Sequence, residues 1–217
     1  LDIQIVADAE RYDEFLADWP VWLAEIAPTV FARTPIVPFI VNVVTADGLT
    51  LDILVGRGQA IDFTQPAEYV VGALSGVRFT DVSLALEYAV AEHLRGIAGP
   101  FISLVQRGEH LRHMTGVPHL LGLLTTVFLA ELDAPAPRKH WSRTYTDEQL
   151  AAVAALPPVR ATREDLIAFG LGLSELLMSR ARPLYPDFGL EWPHDFARVA
   201  ADRVRDVLGI ETSDWLY

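Results

Sequence analysis

A chain of 217 residues, 51% of them hydrophobic, can bury one large core or two smaller ones. Its formal net charge of -12 provides no basic face to displace counterions from phosphates, which argues against non-specific nucleic-acid binding and against docking on an anionic membrane. With no cysteine it has no disulfide, thiol nucleophile or thiolate metal site, a composition compatible with the cytoplasm. What the charge does suit is a cationic partner, or a site where carboxylates hold metal ions.

The first third alternates strand and helix. In "LDIQIV" (Leu1 to Val6), Leu1, Ile3 and Ile5 share one face and Asp2, Gln4 and Val6 the other, which predicts a strand. Asp8 is a candidate N-cap for a helix in which Phe15, Leu16, Trp19, Trp22, Leu23 and Ile26 recur at helical spacing, bent or restarted by Pro20. Val37 to Thr45 and Leu49 to Val55 read as two strands joined through Asp47-Gly48, a favoured tight hairpin pair.

From about Phe79 the period becomes helical and stays so. One helix, "DVSLALEYAVAEHLRG", is expected to end near Gly96, and another to follow Pro100 as "PFISLVQRGEHLRHM". "VPHLLGLLTTVFLAEL" is almost wholly apolar. Its core, Leu120 to Ala130, is the longest apolar run, shorter than a membrane span and suited to a buried helix. Ala134 to Arg143 reads as a linker. Thr146-Asp-Glu-Gln149 matches a capping box, Thr162 opens the next helix, and "WPHDFARVAADRVRDVLG" is the last. The expected class is α+β: a small mixed-sheet domain over 1–78, then an all-α bundle over 79–217.

Aspartate disfavours strands, yet Leu-Asp-Ile occurs in two of them, at Asp2 and Asp52. Each carboxylate can be a water-facing strand residue or a partner for an arginine. If the strands are neighbours, the two can instead project from one face, bind Mg²⁺, or divide the roles of metal ligand and base. "GLTLDILV" (Gly48 to Val55) and "LDIQIV" together resemble the nucleotidyltransferase superfamily related to DNA polymerase beta, in the small-molecule branch that includes aminoglycoside and lincosamide nucleotidyltransferases. Asp52 matches the family's third carboxylate, and Asp2 the second aspartate of its Asp-x-Asp strand. The first aspartate and the preceding Gly-Ser turn then fall before Leu1, where further residues are expected. "FISLVQRGEHLRHM" and "YPDFGLEWPHDFARVA" resemble segments of the family's helical domain.

The resemblance implies Mg²⁺-dependent, in-line transfer of a nucleoside monophosphate from an NTP, with ATP the expected one, to a hydroxyl of a small molecule. Asp2 would hold metal, and Asp52 would be metal ligand or general base. A cationic acceptor such as an aminoglycoside suits the charge. Glu87 and Glu92 are either acceptor-pocket carboxylates between the domains or part of a solvated helix face. Arg107 either pairs with Glu109 or reaches a nucleotide phosphate. His110 and His113 lack the companions of a zinc site. Two alternatives stand beside the enzyme: a non-catalytic binding protein of the same fold, or an antitoxin-like nucleotidyltransferase acting on a macromolecular partner.

Overall fold

The computed structural model describes residues 2–33, 40–58, 81–133 and 144–212. The chain divides into two compact units, Leu1–Arg78 and Phe79–Tyr217. It is α+β: a four-stranded mixed sheet lies in the first unit and a helical region makes up the second. Val37 to Phe39 and the expected linker Ala134 to Arg143 lie outside the described residues.

The first unit runs β1 (Asp2–Ala7), α1 (Tyr12–Ala17), α2 (Trp19–Ile26), β2 (Thr29–Arg33), β3 (Ile40–Thr45) and β4 (Thr50–Arg57). In the sheet the order is β1-β4-β3-β2, with β1 parallel to β4 and the other pairs antiparallel. The β3–β4 hairpin turns at Asp47-Gly48, where Gly48 takes φ 81, a left-handed conformation that glycine adopts without a Cβ penalty. The helical stretch breaks in two at Asp18, and Pro20 sits in the first turn of α2, where its missing N–H costs nothing. Asp8 does not cap α1. It accepts a hydrogen bond from the backbone N–H of Glu10, and the helix starts only at Tyr12. β2 was not expected: five residues after Pro28, with no clear alternation of burial, give little strand signal.

One face of the sheet carries the core. Val41, Val43, Leu51 and Ile53 pack with Leu23 of α2, and Ile3, Ile5, Ala32, Trp19 and Trp22 complete the cluster. The period of two in the strands and the helical spacing of Trp19, Trp22 and Leu23 supply matching apolar faces. The Tyr12 hydroxyl donates to the Val55 carbonyl and ties α1 to β4.

The second unit runs α3 (Val82–Gly96), a π turn (Ile97–Phe101), α4 (Ile102–Arg107), α5 (His110–Glu131), α6 (Asp147–Ala154), α7 (Arg163–Ala181) and α8 (His194–Leu208). The α-helix ends at Gly96, as expected, but the chain does not leave the helical path there. The backbone stays helical through Gly96 and Ile97, and the wider π turn takes in Pro100, which cannot donate an α-helical hydrogen bond. The break comes instead at Gly108, left-handed at φ 68, so the expected helix from Pro100 to Met114 is two helices. α5 is 22 residues long, passes through Pro118, and is long and apolar enough by length and composition to cross a membrane. In its most apolar window 44% of the residues are buried within the protein. Thr146 and Gln149 form the full capping box at the start of α6, and the Thr162 hydroxyl accepts from the Asp165 N–H at α7.

At the centre of this unit Phe101 lies against Gly170. A Cβ built on Gly170 would stand 2.4 Å from Phe101 Cε2. Gly170→Ala gains helix propensity of about 1 kcal/mol, but the overlap drives the buried ring off its rotamer, at about 1–3 kcal/mol. A net loss of stability is expected in urea denaturation, relieved when Phe101→Leu is added. Additive effects of the two changes would show that the ring does not enforce glycine here.

Candidate functional site

The two aspartates singled out from the sequence meet across a strand pair. In the parallel ladder of β1 and β4, Asp2 is the Cα partner of Asp52. On its other side Asp52 is partnered by Asn42 of β3, and Asn42 by Arg33 of β2. One rung of the sheet therefore reads Asp2, Asp52, Asn42, Arg33 across all four strands, flanked on β3 and β4 by the apolar rows of Val41, Val43, Leu51 and Ile53.

Asp52 is half-buried, and its Oδ1 accepts a hydrogen bond from Asn42 Nδ2 at 2.5 Å. The surroundings are not those of a water-washed strand face. On the same face of β3 and β4, Asn42 is 9% exposed, Val44 is fully buried and Leu54 is 8% exposed. No arginine or lysine pairs with Asp52 among the described contacts, so the ion-pair explanation of this carboxylate finds no partner. Arg33 stands on the rung at β2, its guanidinium 5.4 Å from the centre of the Phe31 ring. Asn42 and Arg33 escaped the sequence reading. An asparagine between valines in a strand core is the signal that could have found the first.

The acidic and basic candidates of the helical unit fall in different environments. Glu92 is buried and locked within its own helix: Arg95 donates to it through Nε at 3.1 Å and Nη2 at 2.6 Å, and His119 Nε2 lies 3.8 Å away. Glu87 is exposed on α3. Arg107 is exposed in the last turn of α4, where its charge suits the helix dipole, and it makes no ion pair with Glu109. His113 is buried with its ring edge against Phe101, centroids 5.3 Å apart, and burial lowers its pKa. Among the described residues no group of three or more His, Asp or Glu side chains is arranged to hold a metal ion.

The Glu92–Arg95 pair gives a clear expectation. Glu92→Gln removes the charge opposite a guanidinium whose side chain is only 19% exposed. Breaking a fully buried pair costs about 3–5 kcal/mol, and partial exposure of Arg95 reduces this to about 2 kcal/mol. Urea melts should register that loss. A carboxylate that served only an acceptor would leave stability unchanged and raise the KM for acceptor instead.

Elsewhere on the first unit a groove of about 440 Å³ is lined by β1, α1 and α2, with Asp8, Glu14, Asp18 and Glu25 at its rim and Phe15 stacked on Trp22 at 5.2 Å. Arg11 in this groove is held by Glu14. The rung at Asp52 is not part of it. No protein-family model, curated protein or solved structure matches the chain significantly.

Proposed function

We propose that the protein is a nucleotidyltransferase that moves a nucleoside monophosphate from an NTP to a hydroxyl of a small, cationic acceptor, with Mg²⁺ as cofactor and ATP as the first NTP to test. The observation that supports this reading most is the pairing of Asp2 with Asp52 on adjacent parallel strands. Residues at paired positions of a ladder lie on one side of the sheet. A cation shared by two carboxylates would offset the repulsion between their charges. The donor chemistry fits Mg²⁺, a hard ion that takes oxygen ligands and is bound by one or two carboxylates together with substrate phosphates and water rather than in an all-protein cage. Asp2 and Asp52 are the residues that would hold it. Bound there, the ion would neutralise charge on the triphosphate.

The chain's own groups then have defined work. In the reaction the acceptor oxygen forms a bond to the α-phosphorus as the bond from that phosphorus to the bridging oxygen breaks, and pyrophosphate leaves. The acceptor's hydroxyl proton needs a base, and Asp52, half-buried with one oxygen engaged by Asn42, would serve through its second oxygen either as metal ligand or as that base. The net charge of -12 favours approach of a cationic acceptor such as an aminoglycoside. Glu87, exposed on α3, remains a candidate contact for such an acceptor and Arg107 for a nucleotide phosphate. Glu92 is the weaker candidate, because Arg95 already occupies its carboxylate. A cytoplasmic setting supplies both NTP and Mg²⁺.

A thermal-shift series of the four NTPs, with and without Mg²⁺, tests the proposal. A nucleotide that binds only the folded state stabilises it by about 2.7 kcal/mol at a hundredfold excess over Kd. An NTP shift that requires Mg²⁺ is expected. No shift with any NTP would reject the nucleotidyltransferase reading, and NTP binding without pyrophosphate release across a panel of hydroxylated acceptors would favour the non-catalytic binding protein.

A further inference from the structure

We propose that Asn42 is a positioning residue for Asp52, holding one carboxylate oxygen so that the other is presented to the cation. The inference rests on the nucleotidyltransferase reading of the same rung. Asn42 sits in the most buried stretch of the sheet, among Val41, Val43 and Val44, which are at most 1% exposed. A side-chain amide there costs free energy unless it is hydrogen-bonded, and asparagine is a poor strand former. Packing alone therefore favours valine or threonine at this position. What asparagine adds is the Nδ2–H donated to Asp52 Oδ1 at 2.5 Å.

The direction of that bond matters. An amide N–H donates to a carboxylate oxygen and brings no charge of its own. It fixes the carboxylate without neutralising it, as an arginine or lysine would. Asn42 is itself on the rung, partnered in register with Asp52, so no rotation of the strand is needed to keep the contact. Such supporting hydrogen bonds typically alter metal affinity by about 10–100-fold when removed.

The test is a double-mutant cycle on the whole chain, with Mn²⁺ alone as the probe and the free Mn²⁺ signal in electron paramagnetic resonance as the readout. The proteins are wild type, Asn42→Leu, Asp52→Asn and the double variant, with Asn42→Thr as a second substitution where the leucine does not fold. Asn42→Leu should weaken Mn²⁺ binding about tenfold or more, and should have no further effect once Asp52→Asn is present. In parallel, the Asn42 side-chain amide protons should be slow to exchange by NMR in the wild type and faster in Asp52→Ala, which removes the acceptor. Wild-type Mn²⁺ affinity in Asn42→Leu and Asn42→Thr, or an equal loss with and without Asp52, would overturn the positioning role while leaving the nucleotidyltransferase reading in place. No Mn²⁺ binding by the wild type would remove both.

Discussion

Asp52→Asn should abolish most nucleotidyl transfer while leaving the fold intact. A positioned base alone contributes roughly 10²–10⁴-fold to rate, and an amide can neither carry the charge nor take up the proton. The structural cost should be small. Asp52 has no cationic partner among the described contacts, and asparagine keeps an oxygen to accept from Asn42 Nδ2. In the proposed shared cation site, Asp52→Asn also removes one of two like charges. Without Mg²⁺, the melting temperature should therefore stay level or rise. A purely structural aspartate gives the reverse: a lower melting temperature, and transfer per folded molecule unchanged. Pyrophosphate release and thermal melting on one preparation separate the two.

The second large effect is acid lability of the helical unit. His93 of α3 is fully buried, its Nε2 2.8 Å from the Ser174 hydroxyl of α7. Ser174 Oγ donates to the Gly170 carbonyl. The imidazole Nε2–H must therefore donate to the serine oxygen, leaving Nδ1 as an acceptor without a partner. Burial pushes the His93 pKa down from 6.5 to about 4. The neighbouring Glu92 opposes the shift and His119 adds to it. Between those values the unfolded chain binds a proton that the folded one refuses, so stability is full above about pH 6.5, falls as the pH drops, and levels off below about 4. At about 1.4 kcal/mol per unit, the loss amounts to about 3 kcal/mol. His93→Gln, whose amide can still donate to Ser174, should flatten that part of the profile. Urea melts from pH 8 to 4 measure it, and an equal acid loss in His93→Gln would show that other groups carry the titration.

These two predictions differ in how far the sequence alone reaches. The Asp52 strand was legible because its signals are local: the Asp47-Gly48 turn fixes the hairpin and the period of two assigns each side chain a face. The capping box at Thr146, the N-cap at Thr162 and the break near Pro20 are local in the same sense. β2 carried too few residues to show a period, and the π turn at Ile97–Phe101 hid because glycine and proline usually end a helix rather than widen it. Long-range partners left no local trace. The hairpin sets Asn42 near Asp52 only once its register is known, and His93 and Ser174 are 81 residues apart. The Glu92–Arg95 lock is the opposite case. Its i,i+3 spacing is visible in the sequence, and weighing it would have marked Glu92 as paired rather than open to an acceptor.

The central claim is that Asp2 and Asp52 share one divalent-cation site, and the most direct measurement is paramagnetic broadening of side-chain carboxyl signals by Mn²⁺ in protein labelled with ¹³C at aspartate and glutamate. At substoichiometric Mn²⁺ the account predicts that the Asp2 and Asp52 carboxyl signals broaden first and together, that Mg²⁺ restores them in competition, and that Asp52→Asn abolishes the broadening at Asp2. Broadening that begins at the exposed acidic residues of α1 and α2, with Asp52 unaffected, would contradict it.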